Sequence, residues 1–204
     1  MASDVEICNL ALSHLGDTAN VASIDPPEGS SQADHCARFF RPALNAFLTE
    51  HAWNFTSRRA SLAQVAGAQG GWPYAYALPS DCLEVVAVLM PDEGYMQKGR
   101  DYVVESDANG DPLLLTNVPD AWVRYTASQR DASKLPPFAV QALARLLASM
   151  LAGPVVKGDA GRAASKDQLG QYAYWLAKAK TADAQQRRIV DQVVDRPAGW
   201  MAAR

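Results

Sequence analysis

The stretch YAYALPSDCLEVVAVL, Tyr74 to Leu89, decides how this chain is read. Two short apolar runs, Tyr74 to Leu78 and Leu83 to Leu89, flank a Pro-Ser-Asp break. Aromatic and β-branched side chains fit a pleated surface, and proline cannot donate to a ladder, so the pattern predicts strand, turn, strand. Similar runs follow at Tyr102 to Glu105, Leu113 to Thr116 and Ala121 to Thr126. Between two of them, Asp107, Ala108, Asn109 and Gly110 form a tight-turn signature, because Asn and Gly tolerate positive φ. An antiparallel β unit of roughly four to five strands is the expectation, near the usual minimum for a sheet that buries one face.

Working outward, both flanks read as helix. At the N-terminal side, Ser3 and Glu6 fit a capping box, Val5, Cys8, Leu12 and Leu15 recur at helical spacing, and Gly16 suits a left-handed stop. Residues 17–29 are polar and hold Pro26, Pro27 and Gly29, which reads as a loop. A second helix is expected to be capped by Ser31, with an apolar stripe of Cys36, Phe40, Leu44, Phe47 and Leu48. Trp53 and Phe55 follow it and are expected to seal its end against the core. Gln64 to Gly71, rich in Gly, Ala and Gln, reads as a linker or fraying helix end.

Helix returns after Pro136 and Pro137, with Val140, Leu143, Ala144, Leu147, Met150 and Leu151 on one face. Gly153 and Pro154 are expected to stop it. A last, long helix is predicted from about Arg162 to Val194, with Trp175, Ala179, Ala182, Ile189 and Val193 on one stripe. The predicted fold is therefore α+β: a discontinuous helical domain of four main helices, residues 1–63 and 132–196, with a small antiparallel β domain, 72–128, inserted. A short tail, 197–204, closes the chain.

Composition narrows the function classes. The chain has 204 residues, three cysteines and a formal charge of −3. An odd, widely spaced set of Cys8, Cys36 and Cys82 argues against a disulfide framework and for buried free thiols. The acidic balance weighs against a free-standing nucleic-acid binder. The N-terminal fifty residues are net acidic and the segment from Asp131 onward is net basic, a polarity suited to a subunit oriented between unlike partners. No apolar run long enough to span a bilayer and no leader-like layout are read, so a soluble, cytoplasmically made protein is expected.

Chemical motifs are sparse. His14, His35, Cys8 and Cys36 match no paired zinc spacing, and no metal or cofactor is expected. His35 and Cys36 are sequence neighbours, so on a helix they point about 100° apart, which does not make a nucleophile and base. No glycine-rich phosphate cradle occurs. Catalysis is not expected.

With these residues in view, the chain resembles the tail tubular protein A family of short-tailed bacteriophages, the head-to-tail connector or adaptor. Asn9, Ala11, Leu12, Leu15 and Gly16 resemble its N-x-A-L-x-x-L-G opening. Trp53-Asn54-Phe55, with Arg58 and Leu62 after it, is similar to its W-x-F pattern and following basic residue. Tyr76, Ala77, Leu78, Pro79, Asp81 and Cys82 resemble its Y-A-L-P-x-D-C run, and Tyr125 closes the last strand. Leu135, Pro136, Phe138, Ala142, Leu147 and Ala148 are similar to its L-P-x-x-F return helix. The resemblance covers about Val5 to Ala152.

It implies a structural virion protein: a homo-oligomeric ring, expected to be a dodecamer, between the portal protein and a tail nozzle. Tail fibres would attach at its side, and the DNA genome would pass through its lumen without sequence-specific binding. Interface residues on this reading are Arg187 and Arg188, by charge complementarity, and Trp200, Met201 and Arg204 of the tail, where a tryptophan can anchor on a partner. Asn109 and Gly110, at the hairpin tip, would face the nozzle. The competing classes are another phage neck protein, a soluble helical DNA-binding regulator and an unrecognised hydrolase.

Overall fold

The computed structural model describes residues 2–18, 20–66, 71–91, 99–129 and 131–186. Helix α1 (Asp4–His14) is closed at both ends as its sequence predicts. Glu6 N donates to Ser3 Oγ at 3.1 Å, and Ser3 N donates to Glu6 Oε2 at 2.7 Å. At the other end Gly16 sits at φ +77, with Gly16 N donating to Ser13 O and Asp17 N to Leu12 O. This paired Schellman arrangement uses carbonyls that the helix would otherwise leave open.

Helix α2 (Ser31–Thr49) starts one residue past its cap, which is Ser30 and not Ser31: Ala33 N donates to Ser30 Oγ. Its buried stripe of Ala33, Cys36, Phe40, Ala43, Leu44, Phe47 and Leu48 follows the helical period. Helix α3 (Pro137–Val156) is the centre of the helical unit and packs on α1, α2 and the final helix, α4 (Gly158–Gln185). By length and composition alone α3 could cross a bilayer, contrary to the expectation that no run could; 61 % of that stretch is buried inside the protein, as in a core helix.

Gly153 and Pro154 do not stop α3, which runs on to Val156. A proline costs a helix one bond, to the carbonyl four residues back, which does not by itself end it: α2 likewise continues through Pro42. The stop is Lys157, at φ +62, followed by Gly158 at φ +59. The chain then reverses, and α4 begins four residues before Arg162. The pairs Ser149–Ser165, Arg145–Gln168 and Phe138–Trp175 show the two helices running antiparallel. Close approach needs Gly161: a Cβ there would lie 2.8 Å from Ala152 O. The predicted continuation of α4 to Val194 lies outside the described residues beyond Gln186.

Among the described residues the inserted part has seven strands in two antiparallel sheets. They are β1 (Ser57–Ser61), β2 (Ala63–Val65), β3 (Tyr74–Ala77), β4 (Cys82–Leu89), β5 (Tyr102–Ser106), β6 (Pro112–Thr116) and β7 (Trp122–Ala127). One sheet is ordered β1-β7-β4, the other β2-β3-β6-β5. Strands β1 and β2 were not expected: residues up to 63 were read with the helices and Gln64 onward as linker. β1 is a sheet edge with a mostly exposed Ser-Arg-Arg-Ala-Ser sequence, so it carries no apolar alternation, and its pairing with β7 defines it.

The two sheets face one another around Tyr76, Val88, Leu114, Val118, Ala121, Val123, Tyr125 and Ala127. On one side the chain steps from sheet to sheet at Leu62, between β1 and β2, and Leu62 N donates to Ala121 O. On the other side they meet at an isolated bridge, Val88 to Arg100. A separate and larger core fills the helical unit, and Leu83 of β4 and Phe55 pack against it from the β side.

Candidate functional site

The residues that carry the family resemblance act in this structure as locks. Asn9 reaches from α1 to the loop after it: its Nδ2 donates to Val21 O at 2.9 Å, and Val21 N donates to its Oδ1 at 2.8 Å. The amide thus mimics a strand partner. Arg58, Asp81 and Tyr125 are far apart in sequence and meet on the β1-β7-β4 sheet. Arg58 pairs with Asp81 at 2.6 Å, and Tyr125 Oη donates to the other carboxylate oxygen at 3.0 Å. Burial, then the hydrogen bond to Asp81, hold the Tyr125 phenol above its ordinary range. Tyr76 Oη donates to Val118 O and accepts from Ala121 N, pinning the turn before β7.

Trp53 is 1 % exposed, stacks on Phe47 at 4.8 Å and donates its indole N–H to Phe47 O. It closes the end of α2, as its position predicts. Next to it lies a latch that the sequence reading missed. Asp183 of α4 is 4 % exposed and accepts from Asn54 N and Asn54 Nδ2, while Asn54 Nδ2 also donates to Asp183 O. His51 Nε2 stands 3.5 Å away. This ties the end of the chain's last described helix to the step from α2 into β1. The only local signal was an acid on the buried face of α4, in line with Trp175 and Ala179 by helical spacing.

The surface that could meet a partner lies on the α3–α4 hairpin. Phe138 and Tyr174 are 42 % and 54 % exposed, the half-buried Trp175 lies between them, and Lys178 Nζ sits 4.6 Å from the Tyr174 ring centre. Phe138, Tyr174 and Lys178, with Ala177, Thr181 and Gln185, bound an open groove of about 420 Å³. A smaller hollow between Trp53, Pro136 and Ala182 opens beside it. Phe138 was quoted as a motif residue and Trp175 as a stripe residue. Which of these rings stays exposed was not legible, because helical spacing does not say which face the neighbouring helix covers.

Asn109 and Gly110 do occupy a hairpin tip, between β5 and β6. Asp107 organises it: its carboxylate accepts from Asp111 N at 2.9 Å and Asn109 N at 2.8 Å, which holds the carboxyl below its usual range. Gly110 takes φ +89, a conformation that requires glycine or a tolerant residue. Both residues are exposed, so the tip is available to a partner. Arg187, Arg188, Trp200, Met201 and Arg204 lie outside the described residues.

Two of the three thiols lie in the helical core, while Cys82, His14 and His35 are partly buried. Cys8 and Cys36 are fully buried free thiols that face each other in the helical core. The hydrogen bond between them, together with burial, holds the Cys8 proton firmly in place. Cys82 is pushed up to about 11 by burial and the nearby Asp81 charge, so it is a thiol at neutral pH. His14 and His35 each keep one buried ring nitrogen without a hydrogen-bond partner. Among the described residues no group of three or more His, Cys, Asp or Glu side chains could hold a metal ion. No family model matches the chain, and no curated protein matches it.

Proposed function

We propose that this chain is a non-enzymatic connector subunit of a short-tailed phage, forming a ring between portal and tail nozzle through which DNA passes. The observation that carries the reading is the exposed Phe138–Tyr174–Lys178 ridge on a stiff helical hairpin. Helix α4 has 28 residues, hence a length of about 42 Å, and such a pillar suits a repeated side-by-side contact. Rings need two unlike patches of each subunit to meet, and aromatic residues rimmed by a cation are the usual anchors of such patches. The order helices, β insert, helices agrees with the resemblance, and the quoted motif residues brace that order. The acidic balance of the chain fits a lumen that lets DNA slide without gripping it.

Mass photometry and negative-stain images of the purified chain, alone and with a portal ring, test this. Closed rings are expected, at least on the portal. The double substitution Phe138→Ser, Tyr174→Ser should leave the circular dichroism spectrum unchanged and reduce ring formation about tenfold or more. A chain that stays monomeric with and without portal, or rings indifferent to the double substitution, would overturn the proposal.

A further inference from the structure

Two hollows open side by side toward the C-terminal end of α4. The groove of about 420 Å³ follows one face of that helix: Tyr174, Ala177, Lys178, Thr181, Ala182 and Gln185 recur at spacings of three and four residues. Phe138 of α3 borders it. The lining sets two exposed rings, Phe138 and Tyr174, beside the small side chains Ala177 and Ala182, which leaves width for one large, flat side chain. Among the described residues Lys178 alone brings a charge to that lining. The smaller hollow shares Phe138 and Ala182 with the groove and reaches Gln186, where the described residues end.

We infer that the chain's own C-terminal segment folds back over this groove and seats Trp200 beside Phe138 and Ala182. The chain enters residues 187–204, outside the described residues, at the mouth of the smaller hollow. The segment suits the lining: Trp200, Met201, Ala202 and Ala203 carry no charge, and Pro197 and Gly199 just before them favour a change of direction. The reach is sufficient. From Gln185 back to Tyr174 the groove follows about 16 Å of helix. The chain from Gln186 to Trp200 spans about 46 Å when extended. Were residues 187–194 helical, as the sequence predicts, the stretch from Val194 to Trp200 would still cover about 20 Å, against about 14 Å back to Gln185. Trp200 then comes level with Thr181 and Ala182, where groove and hollow join. A tethered segment meets the groove at an effective concentration near millimolar, so one aromatic anchor suffices where a free partner would need a larger contact. The docking does not rest on the connector reading; on that reading it covers the Phe138–Tyr174 ridge until a neighbouring subunit displaces it.

Fluorine NMR of the full chain grown with 5-fluorotryptophan tests this. The chain has five tryptophans, and Trp200→Ala identifies the Trp200 line. In material that sediments as a monomer, that line is expected away from its position in the free peptide of residues 195–204. Phe138→Ser with Tyr174→Ser should return it to the free-peptide position, while the Trp122 line and the circular dichroism spectrum stay unchanged and report an intact fold. Leu169→Ser, exposed on α4 outside the groove, should leave the Trp200 line where it is. A Trp200 line at the free-peptide position in the full chain, or one that the ridge substitutions do not move, sinks the inference. So does a displaced line found only in oligomers, which assigns the groove to another copy's segment. Ring formation on a portal is scored separately, so failure of the connector reading leaves this test intact.

Discussion

The helical unit and the β unit solve the same problem with opposite chemistry. The helical core is aliphatic and alanine-rich, with α3 buried along most of its length among α1, α2 and α4. Its polar bonds include the Ser3 cap, the Asn9 clasp and the Asp183 latch, with Ser149–Ser165 and Arg145–Gln168 between α3 and α4. The β core is small, and two tyrosines, Tyr76 and Tyr125, hold it through their hydroxyls. Small cores bury too little apolar surface to fix a unique arrangement, so directional bonds carry more of the specification. The contrast also places the two candidate surfaces. The helical unit leaves aromatic residues over for the outside, whereas the β unit presents the polar hairpin tip at Asn109 and Gly110.

The strongest way to break this contrast is Trp53→Ala, at the joint of the two units. Its indole packs on Phe47, His51 and Phe55, and its removal should cost about 4 kcal/mol in urea denaturation. A loss under about 1 kcal/mol would mean that the joint collapses around the gap and that apolar packing there is not specific. Asp183→Ala comes next. It leaves Asn54 N without its acceptor in a partly buried place, while Asn54 Nδ2 keeps the Asp183 carbonyl, for an expected loss of about 2 kcal/mol. Amide exchange at Asn54 should speed up in that variant; unchanged exchange would show that water replaces the carboxylate and that the latch is dispensable.

What could be read from the residues follows the same division. Helices announce themselves through caps and the 3.6 period, so α1, α2 and α3 were legible near their starts. The miss at Pro154 came from treating proline as a stop when it removes one ladder bond, a cost that tertiary packing can outweigh in α3 as at Pro42 in α2. β1 was invisible because Ser57 to Ser61 has no apolar face of its own; it is a strand because β7 pairs with it, a long-range fact. For the candidate surfaces, Asn109 and Gly110 were legible from turn chemistry alone. The ridge at Tyr174 was not, since exposure of an apolar residue is a property of the assembled fold.

Tyr76→Phe sharpens the claim about the β unit at a finer scale. It keeps the ring and removes the hydroxyl that bonds Val118 O and Ala121 N. A loss of about 1.5 kcal/mol is expected, with faster exchange at the Ala121 amide and little change among the α3 amides. Equal acceleration in α3 would show that the two cores open as one, and the division drawn here would fail.

The smallest expected effect concerns a polar spot at the end of α1. His14, at the end of α1, has a lowered pKa because burial disfavours its charged form and Arg145 stands nearby. Its Nε2 is buried without a partner, while Gln168 clips the His14 carbonyl to Arg145. Between its ordinary value of 6.5 and the lowered folded value, the unfolded chain binds a proton that the native chain refuses. Stability should therefore fall as pH drops below about 6.5 and level off beneath the folded value. His14→Gln, neutral throughout, should make the stability curve shallower across that window and leave its shape above pH about 7 unchanged. A variant with the same acid slope as the parent would move the cause to another group and remove the helical unit's claim to a sensitive polar end.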